Sequence, residues 1–274
     1  MIRVDAHHHV WRLDRGDYRL LTPDMSIYRD YRLDDLRPLL GDIDATVLIQ
    51  AAATDAETDY LLEVAHGSNR LVRGVVGWAD LAAPDAVARI ETLAKDPLLK
   101  GLRPMLQEFD DSYWILSEPV QPALKAMAEQ GLCFEALIEA RHLPVLPLLD
   151  RLHPKLKIVI DYGGAPPIAA REFDPWSGDL ARVARETRIF CKLSGLPTIA
   201  GGQWTMNDIR PYVDHILDCF GPSRVMWGSD WPLLEISTPY QRWRTICERF
   251  LFRFSLEERD EIMCGTAVRF YGLT

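Results

Sequence analysis

Two histidines, His7 and His9, stand two residues apart in the run Asp5-Ala6-His7-His8-His9. Side chains of an extended strand alternate between faces, so the two imidazoles share one face with Arg3 and Asp5. Paired in this way they can share a divalent metal or bind one anionic oxygen, because neutral imidazole is the commonest transition-metal ligand. A carboxylate from another strand can complete the set. Asp230 is the candidate, closing the apolar run Val225-Met226-Trp227 in the segment Gly228-Ser229-Asp230-Trp231-Pro232. At such a position a carboxylate must be solvated, paired or ligating, since burying it bare costs several kcal/mol. Its chemical reading is metal ligand and general base toward water. Its plainer reading is a helix cap or the partner of an arginine.

Other chemistry-bearing residues end further apolar runs. The planar fork of Arg103 suits a ring carbonyl or a carboxylate, or a salt bridge at the rim. Glu135, within Phe134-Glu135-Ala136-Leu137, needs a partner and either orients a histidine or pairs with Arg103. Lys192 alternates with Ser194 and can reach substrate hydroxyls or point outward. Gln50 and Trp78 can read hydroxyls and cover a sugar face, or simply pack.

These residues need elements that bring them together. Eight apolar, β-branched runs have strand length: Ile2 to His9, Thr46 to Ala51, Leu71 to Trp78, Leu99 to Met105, Leu132 to Ile138, Leu156 to Tyr162, Arg188 to Ser194 and Arg224 to Asp230. Helical spacing lies between them, as in Glu57 to His66, Pro84 to Leu93, Pro119 to Gln130 and Ile209 to Phe220. Strand and helix in alternation imply parallel strands, and eight units in 274 residues match a (β/α)8 TIM barrel as one domain over residues 1–274. No GxGxxG follows any of these strands, which argues against a doubly wound dinucleotide fold. In a barrel the site is built at the C-terminal strand ends, where the ionisable residues of this chain collect. The stretch from Asp14 to Asp35 lacks a clear period and is placed to form a lid or rim, with Trp11 or Tyr18 facing the site. His66, His142, His153 and His215 lie in or beside helices and are read as structural.

Composition excludes several function classes. With 40 acidic and 31 basic residues the formal charge is -9, the wrong sign for gripping nucleic acid. Five cysteines without a CxxC pair suggest neither a disulfide framework nor a thiolate metal site. No signal peptide and no membrane-length apolar stretch is apparent, so a cytoplasmic protein is expected. The last helices can supply a homodimer face.

The motifs Asp5-Ala6-His7-His8-His9, Lys100-Gly101-Leu102-Arg103, Ile160-Asp161-Tyr162-Gly163-Gly164-Ala165-Pro166, Cys191-Lys192-Leu193-Ser194-Gly195-Leu196 and Gly228-Ser229-Asp230-Trp231-Pro232 resemble the amidohydrolase superfamily. Within it they are similar to the amidohydrolase 2 branch of sugar-acid and dicarboxylate lactonases. The HxH and GSDWP elements are the most specific, and the resemblance covers nearly the whole chain. It implies a distorted barrel that opens a small lactone by hydrolysis. Asp230 would act as base, His7 and His9 as metal or oxyanion partners, and Tyr162 or a histidine as general acid. Two departures matter. Tyr162 and Ala165 stand where such lactonases carry a histidine and a lysine, and Pro104 follows Arg103 where a histidine is common. With the strand-six histidine gone, two arrangements remain open. Zinc is held by His7, His9 and Asp230 with an open position for water, or no metal is used and Asp230 works with the histidines or Arg103 directly. A lactone isomerase and a metal-dependent decarboxylase of the same superfamily are the alternatives.

Overall fold

The computed structural model describes residues 2–273. Met1 and Thr274, which the expected domain of 1–274 includes, lie outside the described residues. Eight strands form one sheet in sequential order: β1 (Val4–His8), β2 (Ala45–Ile49), β3 (Val72–Gly77), β4 (Leu99–Leu102), β5 (Cys133–Ala136), β6 (Lys157–Ile160), β7 (Phe190–Leu193) and β8 (Val225–Trp227). Every neighbouring pair is parallel. The runs are β-branched and continuous rather than alternating, as in Lys157-Ile158-Val159-Ile160, because parallel strands under a helical layer are buried on both faces.

Among the described residues, eight α-helices of six residues or more pack outside the sheet: α1 (Asp55–His66), α2 (Ala86–Leu93), α3 (Gln121–Glu129), α4 (Leu146–Leu152), α5 (Trp176–Glu186), α6 (Met206–Phe220), α7 (Tyr240–Phe250) and α8 (Thr266–Tyr271). Local signals set their ends. Thr54 caps α1, its hydroxyl accepting from the Glu57 amide at 3.1 Å. Thr205 and Asp208 form a reciprocal capping box on α6, which therefore starts three residues before the Ile209 that the apolar period suggests. No comparable helix joins β1 to β2. The connection holds only short turns, including Leu13–Arg15 and Arg37–Leu39. No helix among the described residues is long and apolar enough to cross a membrane. All five cysteines are free thiols.

The barrel closes just past the named strands. His9 N donates to Trp231 O at 2.7 Å, and Asp230 N donates to His7 O at 2.8 Å. Asp5 fastens this seam: its Oδ1 accepts from Ser229 N at 2.9 Å and its Oδ2 from the Tyr240 hydroxyl at 3.1 Å. Gly228 allows the close approach, since a Cβ there would lie 2.5 Å from His7 Cβ. Gly228→Ala therefore overpacks the seam and should lower stability by about 1–3 kcal/mol, measured by urea unfolding. An unchanged unfolding midpoint would show that the seam yields freely.

Candidate active site

The seam sets Asp230 against the two histidines. Asp230 Oδ1 lies 3.4 Å from His9 Nε2 and 3.7 Å from His7 Nε2, and the two Nε2 atoms are 3.3 Å apart. Tyr162 completes the group, its hydroxyl 2.9 Å from Asp230 Oδ1 and 3.0 Å from His7 Nε2. Burial, reinforced by the negative charge of Asp230, holds the Tyr162 phenol well above its ordinary pKa. It therefore stays protonated and donates to Asp230.

Hydrogen-bond partners fix both imidazole tautomers. His9 Nδ1 sits 2.8 Å from Ile49 O, an acceptor only, so Nδ1 carries the hydrogen and Nε2 keeps its lone pair. His7 Nδ1 faces Lys192 Nζ at 3.1 Å. Lys192 is an ammonium, bonded to Glu135 Oε2 at 2.6 Å and 3.2 Å from Asp161 Oδ1, so it can only donate. With Lys192 donating, His7 carries its hydrogen on Nε2, aimed at His9 and Tyr162; Asp161 Oδ1, 3.6 Å from the same Nδ1, is the acceptor that the other tautomer would use. Burial, helped by the Lys192 charge, pushes the His7 pKa well below the ordinary value.

Asp161 is the hub beneath this cluster. Its Oδ2 accepts from Arg103 Nη1 at 3.0 Å. Burial alone would raise its pKa, but Lys192, His7 and Arg103 together hold it well below the carboxylate range. The sequence shows an aspartate at this strand end without revealing the role. Glu135 does not pair with Arg103, one of its two expected partners. It binds Lys192 and the Tyr271 hydroxyl from α8 instead, because β5 and β7 aim both side chains into the barrel interior.

His7, His9 and Asp230 can hold a metal. A tetrahedron with bonds of roughly 2.0–2.1 Å has edges of about 3.3–3.4 Å, and the three donor separations of 3.3, 3.4 and 3.7 Å come close to this. The carboxylate and the His9 lone pair suit a zinc-sized ion, and His7 would join them with its hydrogen moved from Nε2 to Nδ1, where Asp161 Oδ1 lies 3.6 Å away. His7, Glu135 and Asp161 also converge, but the Lys192 ammonium already lies among them.

A cavity of about 160 Å³ opens beside the cluster. His9, Arg103 and Tyr162 form its reacting end, while Trp11, Tyr18, Leu20 and Leu21, from the long connection after β1, wall it as the sequence suggests. The other expected contacts are not on this wall. Glu135 and Lys192 are wholly buried in the barrel interior. Gln50 donates from Nε2 to Arg103 O at 2.7 Å while Arg103 Nη2 donates to Gln50 O, a clasp between β2 and β4. Trp78 is fixed through its backbone, whose N–H donates to the Thr58 hydroxyl at 2.7 Å. Gln107, Met105 and Leu137 also line the cavity, though no sequence signal singled them out.

Comparison with known proteins gives a consistent set of relatives. A family model described as Amidohydrolase matches residues 4–273. An L-fucono-1,5-lactonase of Burkholderia ambifaria is 40% identical, over 98% of this chain and 95% of the relative. A second L-fucono-1,5-lactonase, from Burkholderia multivorans, is 32% identical over 99% of this chain and 96% of its own. A crystal structure of a Burkholderia multivorans amidohydrolase with bound zinc superposes with a TM-score of 0.93 at 33% identity, covering 100% of both chains.

Two outcomes follow from the buried groups. Lys192→Met leaves Glu135 and Asp161 short of a cation and should destabilise by about 3–5 kcal/mol in urea unfolding, with a smaller loss when combined with Glu135→Gln. Equal losses in the single and double variants would show the charges to be uncoupled. His8 faces away from the cluster, wholly buried, with Nε2 2.9 Å from the Thr46 hydroxyl. Burial, with the neighbouring His9 imidazole, pushes its pKa from 6.5 down to about 3. The folded state thus binds fewer protons at this group, and the stability His8 contributes, complete above pH 6.5, is lost as pH falls. Lowering the pH from 7.5 to 5.5 should cost the wild type about 1.4 kcal/mol more than His8→Gln. Parallel pH profiles would contradict this assignment.

Proposed function

The chain belongs to the amidohydrolase family, and from that premise we propose that it hydrolyses a sugar-acid lactone, a six-membered 1,5-lactone of the L-fuconate type. The observation that carries this reading is the meeting of Asp230, Tyr162 and His9 at the end of a ring-sized cavity. A cavity of about 150 Å³ is enough to admit a six-membered ring. The names of the two Burkholderia lactonases support the substrate class.

In this reading water attacks the ring carbonyl at the His9–Tyr162 end. Its proton passes through the Tyr162 hydroxyl, which lines the cavity, to Asp230, which lies directly behind it. As the ring C–O bond breaks, the proton returns by the same route to the departing oxygen, leaving a free hydroxy acid and an ionised Asp230. Arg103 stabilises the oxyanion: it reaches the cavity, and its buried Nε makes no hydrogen bond within the protein. A divalent ion held by His7, His9 and Asp230 would supply carbonyl polarisation and a more acidic water.

A pH-indicator assay on L-fucono-1,5-lactone, with metal analysis and chelation alongside, tests the proposal. Asp230→Asn should lower kcat by about 10³-fold, and Tyr162→Phe by about 10²-fold with little change in KM. Full turnover in Asp230→Asn would sink the assignment. Lactone consumed without acid release would favour an isomerase.

A further inference from the structure

Among the described residues lining the cavity, the polar ones are His9, Arg103, Tyr162, Tyr18 and Gln107. The first three belong to the reacting cluster. The Tyr18 hydroxyl is likewise buried without a hydrogen-bond partner and lies in the field of Glu57, Asp17 and Arg15. Gln107 belongs to neither group. It sits in the short turn Leu106–Glu108 beyond β4, on the stretch of chain that also supplies Arg103 and Met105. Its side-chain carbonyl oxygen is buried and has no hydrogen-bond partner. An amide oxygen withdrawn from water without a partner costs free energy, which a bound donor recovers. Around it the wall is apolar: Leu20, Leu21, Met105, Leu137 and Leu233.

We propose that Gln107 is a specificity-determining residue, whose carboxamide binds one ring hydroxyl of the lactone while the surrounding leucines and Met105 take an apolar edge. The assignment rests on the lactonase reading and refines it. The substrate it describes is a neutral ring with one hydroxylated edge and one carbon-rich edge. A ring lacking the hydroxyl leaves the amide unpaired in the complex, which is how a buried polar group rejects a deoxygenated analogue. Gln107 takes no part in proton transfer, so its effect falls on binding and discrimination rather than on the chemical step.

The test compares kcat/KM for L-fucono-1,5-lactone and for δ-valerolactone, the same ester ring without hydroxyls, in the wild type, Gln107→Leu and Gln107→Asn. In Gln107→Leu the ratio of the two should fall by about 10–100-fold, through a raised KM for the hydroxylated lactone. Gln107→Asn keeps the neutral carboxamide one methylene shorter and should retain more of the ratio than Gln107→Leu does. A general folding defect lowers both activities alike and leaves the ratio where it was. Should Gln107→Leu not fold, Gln107→Ala reads the same ratio. An unchanged ratio in a well-folded Gln107→Leu overturns the assignment alone, whereas a wild type that opens neither lactone overturns the lactonase reading beneath it.

Discussion

Closure of the barrel between β1 and the segment after β8 is the constraint on which the site depends. His7 and His9 offer their backbone groups to Asp230 and Trp231, so three of the four residues that join the sheet's two edges also carry the candidate chemistry. The meeting of the carboxylate and the imidazoles is therefore fixed by backbone register rather than by side-chain choice. Asp5, the carboxylate nearest the histidines in sequence, is used up in holding this seam: burial raises its pKa to about 6, against the hydrogen bonds from Ser229, His7 and Tyr240. Sequence proximity to the HxH pair makes it look chemical, but its contacts are structural.

Inside the barrel a charged layer takes the place of an apolar one. Glu135 and Asp161 bring two carboxyl groups, Lys192 and Arg103 two basic ones, and all four are 2% exposed or less. Such a cluster gains little stability over a hydrophobic layer, because desolvation offsets most of the Coulomb attraction. Orientation is its clearer consequence. Lys192 can only donate to His7, which puts the His7 hydrogen on the nitrogen facing His9 and Tyr162, while the Ile49 carbonyl imposes the opposite tautomer on His9. One imidazole of the pair presents a donor and the other an acceptor, and the difference originates outside the pair, in β7 and β2.

Much of this is legible in the sequence. The strands announce themselves as β-branched runs, and the rule that barrels carry their chemistry at C-terminal strand ends selects His7, His9, Arg103, Tyr162 and Asp230. What stays hidden depends on register between strands distant in the chain. Glu135 is nearer in sequence to Arg103 than to Lys192, and nothing in either motif says that it meets Lys192 and Tyr271. Gln50 and Trp78 sit at strand ends like the others, yet one is spent on the Arg103 backbone and the other is tied to Thr58. Gln107 lies in a turn with no periodic signal at all. Loop residues of this kind are found only when the cavity they line is formed.

Backbone strain explains why the departure from the family pattern at Tyr162 is tolerated. Tyr162 and Asp230 both have left-handed backbones, with φ of 55° and 63°, a region that costs a non-glycine residue about 1–2 kcal/mol. Surrounding contacts must hold them there. The ring of Tyr162 packs into the space a Cβ would occupy at Gly195, and the next residue, Gly163, offers its carbonyl to Trp176 Nε1 at 2.9 Å. A phenol is longer than an imidazole, and the empty side of Gly195 gives it room to lie against β7 while its hydroxyl reaches Asp230. The tyrosine and the glycine across from it thus work as a unit: the glycine gives the ring its place, and the strained turn aims the hydroxyl at the one carboxylate the barrel seam has already set beside His9.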